Sequence, residues 1–248
     1  MLDVHPPHHA ATTWRDFFIH IATIVLGLLI AVGLEQMVEW LHHRHQVAET
    51  REAIHRERED NQRKFARTTA LFRLETKQLQ TNLADFEYLA KHPGAPASNL
   101  PGPISWHTLI TAFAYSAWET AQHDNVTALM PQPEVRQNEE LYSHLQKVQQ
   151  SCAERLVAIG EARLYTASDS DASSLTVQQI EKEIRLTQAV IIAHYRMGGD
   201  MRNVNLFYPD FTPSPTTEEL HALVHESPSM TDYERMFFST SSGNSDKP

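Results

Sequence analysis

Histidine is the side chain in this sequence that is best suited to metal or proton chemistry, and its densest group is His42, His43 and His45. Neutral imidazole binds transition metals, and free histidine titrates near pH ~6.5. On a helix, His42 and His45 share a face whereas His43 points elsewhere, so one chain offers at most two of these ligands to a metal. The pattern favours a surface cluster, with His42 and His45 as the candidate metal ligands.

Two Glu-x-x-His units, Glu39 to His42 and Glu52 to His55, match the spacing with which di-iron helical bundles hold their metals. Those bundles place the units on different helices, whereas both lie here on one predicted helix in a charged stretch. His20 is a candidate for haem or quinone binding because it lies inside an apolar run, but haem would need a second ligand from an oligomer. The sequence therefore predicts no cofactor and no catalytic residue, and a metal or haem enzyme is the least favoured alternative.

Trp118 and Tyr142 lie on neighbouring predicted helices and could line a ligand pocket. Aromatic side chains at such positions more often pack against each other where the two helices of a hairpin meet. The sequence contains no Gly-rich phosphate loop, nucleophile elbow or zinc-binding pair. We therefore expect an interaction or signal-relay module, with a ligand-binding sensor domain around Trp118 as the alternative.

The element that must position these residues begins with an apolar run from Phe17 to Leu34, which has no formal charge. This length predicts a transmembrane helix, and Trp14 and Trp40 bracket it as the interface anchors. A cleavable signal peptide is the alternative because of the small residues 31–33, although the run exceeds the usual apolar length of such peptides. The lipid bilayer is accordingly the first predicted partner.

The orientation of the predicted span follows from the basic residues at its two ends. Arg15 precedes the span, whereas Arg44 and Arg51 follow it. This asymmetry favours a cytoplasmic C-terminal domain, although a short N-terminal tail before an anchor is also common for domains displayed outside. The lone Cys152 excludes an intramolecular disulfide and so gives no marker of the compartment.

Thr23, Gly27 and Ala31 recur every four residues and therefore line one stripe of the predicted span. Small residues at this spacing let two transmembrane helices approach closely. The stripe predicts a homo-oligomer that forms through the membrane.

Composition predicts an all-α fold, because only eight glycines occur in 248 residues and the β-branched runs are short. The net charge of −10 argues against nucleic acid as a partner and leaves an unknown protein as the expected one. We divide the chain into an N-terminal tail (1–16), a transmembrane helix with its interface (17–41), a helical stalk and bundle (42–208), and a short helix with a disordered tail (209–248).

The predicted bundle is mostly antiparallel and contains about four helices, at 44–91, 105–122, 134–167 and 175–205. Alternating charges over 44–64 predict a solvated stalk. Beyond residue 64, aromatic and aliphatic residues recur every seven positions and form a stripe, which we call the seam, that is expected to face the core. The companion positions are too polar for a long coiled coil. The seam residues are Phe65, Phe72, Leu79 and Phe86.

Helix starts are predicted from side chains that can cap them. Ser105 and Ser174 are the predicted caps of the second and fourth helices. Thr216 and Glu219 fit a capping box for a short helix through Val224.

Two stretches of the chain resemble uncharacterised bacterial single-span membrane proteins. The first is Gly27-Leu28-Leu29-Ile30-Ala31 followed by Glu39-Trp40; the second is Ala117-Trp118-Glu119-Thr120-Ala121, then Ala128-Leu129-Met130, Glu134-Val135 and Leu141-Tyr142. The resemblance implies a helical domain of unknown function that is tethered to the bacterial inner membrane by one span. It implies no catalytic residues.

Overall fold

A computed structural model of the chain describes residues 14–108, 110–166 and 169–225. Within these residues the fold is all-α, as the sequence predicts, and no strand is present. Two short 3₁₀ helices, at Ala97–Asn99 and Val126–Leu129, accompany six α-helices. The α-helices are α1 (Trp14–Lys91), α2 (Ser116–His123), α3 (Gln132–Ala162), α4 (Asp169–Ala172), α5 (Val177–Phe207) and α6 (Thr217–His225).

Helix α1 is continuous over 78 residues, which corresponds to a length of roughly 117 Å. Its N-terminal third is fully exposed and carries an 18-residue window with a mean hydropathy of 2.6. One helix is therefore long and apolar enough to span a membrane. No proline interrupts α1, so its apolar part and the part that enters the bundle form one rod.

The second half of α1 is the central helix of the bundle. The predicted seam of Phe65, Phe72, Leu79 and Phe86 is confirmed, because all four side chains are buried. The predicted stalk is shorter than expected. Packing begins at Val47, and the inner face of the charged stretch also buries Ile54, Glu57 and Asn61.

Helix α5 runs antiparallel to α1 and α3, whereas α1 and α3 run parallel to each other. The parallel arrangement follows from the contacts of Glu57 with Tyr142 and of Glu75 with Arg155, which advance together along both helices. Helix α3 buries one apolar stripe, which consists of Leu141, Leu145, Val148, Cys152 and Ile159.

The helix predicted over 105–122 is wrong except for its last turns, because residues 103–108 and 110–115 have no helical structure and α2 begins only at Ser116. Burial alternates within two separate pairs, Ile104 with Trp106 and Thr111 with Phe113. A period of two within each pair is typical of locally extended chain. We call residues 103–115 the strap, since it runs back along α1.

The predicted ends of the later helices need smaller corrections. Helix α3 ends at Ala162, and Ser174 does not cap α5. Thr176 caps it instead through a capping box with Gln179. The predicted capping box of α6 is confirmed, because the Glu219 N–H donates to Thr216 Oγ1 over 3.1 Å and the Thr216 N–H donates to Glu219 Oε2 over 2.8 Å.

Gly198 lets α5 pass close to α1 without a break in the helix. A Cβ atom at this position would lie 2.4 Å from Leu220 and 2.7 Å from the Phe72 ring. A side chain there would therefore push apart α1, α5 and α6, whose Leu220, Leu223 and preceding Phe211 are buried in the shared core.

Candidate functional site

A polar row on α1 holds the strap against the bundle. The row consists of Asn61, Thr68, Glu75 and Asn82, which recur every seven residues and are all buried. The Asn82 side chain donates to the Ser105 carbonyl over 2.8 Å and accepts from the Ser105 N–H over 3.1 Å. Its amide therefore satisfies both backbone groups of one strap residue, as a neighbouring strand would.

Asn61 repeats this arrangement at the other end of the strap. Its side chain pairs with the N–H and the carbonyl of Ala114, each over 2.8 Å. Asn61 and Asn82 lie roughly 31 Å apart along α1, and the nine residue steps from Ser105 to Ala114 span at most about 32 Å. The two clamped ends of the strap are therefore about as far apart as the chain between them allows.

Glu75, the only charged member of the polar row, forms a buried ion pair with Arg155 of α3. Arg155 Nη1 lies 2.5 Å from Glu75 Oε2, and the Arg155 side chain has no exposed surface. Charges removed from water in this way need a partner and hydrogen bonds, because a lone buried charge is strongly destabilising. The pair fixes α1 against α3 in the middle of the bundle.

His194 of α5 lies beside the Glu75–Arg155 ion pair, and the three residues form the buried polar centre of the bundle. Its ring stacks on Phe72 with centroids 4.0 Å apart, and its Nε2 lies 3.0 Å from Thr76 Oγ1 and 3.2 Å from the Phe72 carbonyl. Burial, reinforced by the positive charge of Arg155, lowers the pKa of His194 to about 3. The ring is therefore neutral at pH 7, and its neighbours assign the proton to Nε2 because the Thr76 hydroxyl itself donates to the Phe72 carbonyl.

A small cleft opens above the ion pair, between α1, the strap and α3. Glu75, Gln78, Trp106 and Arg155 are among the residues that line it. Its enclosed space of about 10 Å³ has room for about one water molecule.

Trp106 lines the cleft, and its buried Nε1 atom has no acceptor in the described part of the chain. At the rim, Ser105 Oγ lies 3.2 Å from His107 Nε2.

Glu183 is another buried acid and lies six residues after the start of α5. Neither of its carboxylate oxygens has a hydrogen-bond partner in the described residues. Burial raises the pKa of Glu183 to about 7, and the charge of Lys182 opposes this shift. This carboxyl therefore exchanges its proton near neutral pH.

Trp118 and Tyr142, the residues predicted to line a pocket, are packed on each other. Their rings are nearly parallel with centroids 5.7 Å apart, and both side chains are buried. The Tyr142 hydroxyl donates to Glu57 Oε1 over 2.7 Å, and burial together with this bond raises the Tyr142 pKa. Ligand binding by this pair stays a prediction.

Glu57 explains why α2 begins at this place. Its carboxylate accepts hydrogen bonds from the backbone N–H groups of Ala117 and Trp118 and from the Ser116 hydroxyl. These N–H groups have no partner within α2, and a negative charge near a helix N-terminus is favourable. A side chain of α1 therefore caps a helix that lies 59 residues further along the chain.

The candidate metal ligands His42 and His45 lie on the exposed surface of α1. His45 Nε2 lies 3.1 Å from Glu49 Oε1, and the neighbouring His43 lies 4.0 Å from Glu39. Among the described residues, no group of three or more His, Cys, Asp or Glu side chains could hold a metal ion. Metal binding by His42 and His45 stays a prediction.

The residues predicted to meet the membrane are exposed along the first part of α1. Trp14 and Trp40 are 78% and 53% exposed, and the Arg44 guanidinium lies 4.7 Å from the centre of the Trp40 ring. In the predicted stripe, the Thr23 hydroxyl donates to the Ile19 carbonyl, and a Cβ atom at Gly27 would meet no atom within 4 Å. This face of the helix is open in the single chain.

Sequence reasoning missed Glu75, Arg155 and His194. Two features of the sequence point to Glu75 and Arg155. Polar residues recur every seven positions on α1 beside the apolar seam, and Arg155 lies three residues after Cys152 within the buried stripe of α3. A charged residue inside an apolar stripe indicates a buried ion pair.

Comparison with models of protein families, with curated proteins and with solved structures finds no match for this chain. The resemblance to uncharacterised single-span proteins therefore stays a prediction.

Proposed function

We propose that the protein is a single-pass membrane protein whose helical bundle binds a protein partner or relays a signal from the membrane. The observation that supports this proposal is the continuity of α1. The helix that carries the exposed apolar run also carries the seam and the polar row of the bundle core. A shift or rotation of the span would thus move the residues that hold α3, α5 and the strap.

Two ion pairs couple α1 to the start of α3 and the end of α5. Arg51 forms two hydrogen bonds with Glu134, with a shortest distance of 2.6 Å, and Arg58 contacts Asp210 over 2.8 Å. Paired contacts of this kind fix geometry more than they add stability, because both pairs are partly exposed. They support a relay in which the bundle follows α1 as one body.

The anchor is tested by membrane fractionation of the full chain. We expect the protein to sediment with membranes and to resist high salt and carbonate, because burial of an apolar span does not depend on charge. Release by carbonate alone would overturn the anchor. Fusions of alkaline phosphatase and of a fluorescent protein to the C-terminus would test the proposed inner-membrane location with a cytoplasmic bundle.

A protein partner is tested by photo-crosslinking in cells. Large apolar side chains are exposed on the bundle, and Leu206 and Phe207 at the end of α5 are 61% and 62% exposed. We expect a photoreactive residue at 207 to capture a discrete adduct, whereas the same residue at exposed Glu181 should not. Adducts of equal yield at both positions, or none at either, would contradict the proposal for this face.

A further inference from the structure

The strap lies in a groove between α1 and α3, where side chains of both helices bind its backbone. On α1, Asn82 and Asn61 each bind the N–H and the carbonyl of one strap residue. On α3, Gln149 accepts a hydrogen bond from the N–H of Phe113 over 3.2 Å. Every polypeptide has these backbone groups, apart from the N–H that proline lacks, so this recognition does not depend on the side chains of the bound segment.

Four side chains of the strap fill the groove. Ile104 and Trp106 belong to an apolar cluster that α1 and α3 share, and Phe113 packs on Phe65 of α1 with ring centroids 6.5 Å apart. The Thr111 hydroxyl lies 3.0 Å from a threonine hydroxyl of α1. The strap residues described between these two pairs, at 107, 108 and 110, are exposed. The groove therefore specifies two pairs of inward side chains and leaves the rest of the bound segment free.

The attachment of the strap links it to movements of α1. Phe113 and Ala114 are neighbours in the chain, but Gln149 of α3 holds the first and Asn61 of α1 holds the second. A shift of α1 along α3 therefore breaks one of these contacts. The chain from Ser105 to Ala114 has almost no slack, so the strap cannot follow such a shift without losing a hydrogen bond at one end. Residues 103–108 and 110–115 belong to no helix, so release of the strap breaks none.

We propose that the groove between α1 and α3 is the docking site for an extended segment of a partner protein, and that the strap is the intramolecular occupant which this segment displaces. The segment offers its backbone to Asn61, Asn82 and Gln149. Its side chains point inwards at positions i, i+2, i+7 and i+9, with a small hydroxyl at i+7 and apolar groups at the other three positions. This role of the groove rests on the proposed function, since it assumes that the bundle binds a protein partner.

The test uses the full chain in nanodiscs and a fluorescent synthetic peptide with the sequence of residues 103–115. In a released variant, Ile104→Ser and Phe113→Ser weaken the strap without changing a residue of α1 or α3. Fluorescence anisotropy measures the binding of the peptide. We expect saturable binding to the released variant and at least about 10-fold weaker binding to the wild type, because the intact strap competes there at a high effective concentration.

A second form of the protein frees the strap without a substitution in the core. A protease site inserted after Ser98, in the exposed turn before the strap, is cut in the purified chain. Far-ultraviolet circular dichroism checks that the cut chain and the released variant keep their helices. We expect the cut chain to bind the peptide more tightly than the uncut chain does. Absence of saturable binding to both forms would overturn the proposal.

N-methylated peptides test whether the groove recognises the backbone. Methyl groups on the nitrogens of the residues that correspond to Ser105 and Ala114 remove the two N–H groups that bind Asn82 and Asn61, so we expect at least about 10-fold weaker binding to the released variant. The matched control carries one N-methyl group at the residue that corresponds to the exposed His107 and should keep its affinity. Equal affinities of both methylated peptides would show that the peptide binds through its apolar side chains alone, against the proposal.

The oligomeric state of the wild type distinguishes a partner protein from a second copy of the chain. A dimer that Asn82→Ala dissociates and Gly27→Leu leaves intact would assign the groove to the strap of a second copy and overturn the choice of a partner protein. Failure of this docking is distinguishable from failure of the proposed function. Adducts at residue 207 without peptide binding would retain a partner on the α5 face and exclude the groove, whereas peptide binding without adducts would contradict only the α5 face.

Discussion

Arg155 and Glu75 show how a single buried pair can organise three helices. Their side chains join α3 to α1, and the same Glu75 Oε2 lies 4.0 Å from Nδ1 of His194 on α5. His194 is held neutral, so it adds no charge to the pair. The centre is therefore electrically balanced only while both members of the ion pair are present.

We expect Arg155→Met to lower the free energy of unfolding by about 3–5 kcal/mol, because it leaves the Glu75 charge buried without its partner. The double variant Glu75→Leu with Arg155→Met should recover most of this loss, since it removes both charges. Urea unfolding of the full chain in detergent, followed by near-ultraviolet circular dichroism, measures both effects.

The control for this prediction is an exposed ion pair on α1, the helix that carries Glu75. Arg56 lies 3.7 Å from Glu52, and both side chains are more than 60% exposed. We expect Arg56→Met to change the free energy of unfolding by less than about 1 kcal/mol. A double variant that is as unstable as Arg155→Met alone would show that packing, not charge, determines the loss.

Glu183 predicts a dependence of stability on pH. Its pKa is about 7 in the folded chain and 4.5 in the unfolded one, so between these values the folded state holds a proton that the unfolded state has released. The free energy of unfolding contributed by this group therefore falls as the pH rises through that window. We expect Glu183→Gln to gain stability over the wild type at pH 8 and little at pH 4.

Comparing Glu183→Gln with the wild type at each pH cancels the contribution of His194 to the pH dependence of stability, which has the opposite sign. Its lowered pKa makes stability fall as the pH drops from 6.5 towards 3, and this occurs in both proteins. The exposed neighbour Glu181 provides the matched substitution, and Glu181→Gln should give a flat difference profile. A flat profile for Glu183→Gln as well would show that Glu183 is already ionised in the folded protein.

At the scale of elements, the apolar periodicity predicted the long helices and failed for the strap. The seven-residue seam of α1 and the stripe of α3 follow directly from residue spacing, because helices bury one face. The strap contains Ala and aromatic residues that also fit a short amphipathic helix. Its extended form depends on Asn61 and Asn82, which lie more than 20 residues away in the sequence, and such long-range bonds leave no local signal.

The centre was missed for the same reason. Glu75 and Arg155 are 80 residues apart, so even though Arg155 lies within the apolar stripe of α3, its own neighbours in the sequence do not identify Glu75 as its partner. By contrast, the capping box of α6 was predicted correctly, because Thr216 and Glu219 are three residues apart and bind each other. The sequence therefore predicts what is local in this fold and leaves open what depends on contacts between elements.

The hydrogen bonds of Asn61 and Asn82 to the strap predict which substitution loosens it. Asn82→Ala leaves the N–H and carbonyl of Ser105 without partners, so we expect it to destabilise the strap by about 1–3 kcal/mol. Hydrogen exchange should become faster at the backbone amides over 104–107 while the amides of α5 keep their protection. Asn99→Ala, in the exposed turn before the strap, is the control and should leave exchange unchanged. Unchanged exchange in both variants would mean that packing of Ile104 and Trp106 alone holds the strap.

At the scale of the whole molecule, α1 divides the protein into an exposed rod and a packed bundle. Every large apolar side chain described between Trp14 and Leu41 is at least 41% exposed. An isolated helix with such a surface needs a lipid or protein environment. The acidic composition of the chain makes a further association with anionic lipid headgroups unfavourable.

The last prediction concerns self-association through the stripe of Thr23, Gly27 and Ala31. Helices in lipid gain contact by close approach, because lipid provides no hydrophobic drive between them, and small side chains allow that approach. Gly27 offers open space in the single chain, so Gly27→Leu should fill the groove and weaken association in a transmembrane reporter assay, as should Ala31→Leu. Leu28→Ile, on another face, should match the wild type. Equal signals from all of these proteins would show that the helices associate elsewhere or remain single, and the relay would then act within one chain.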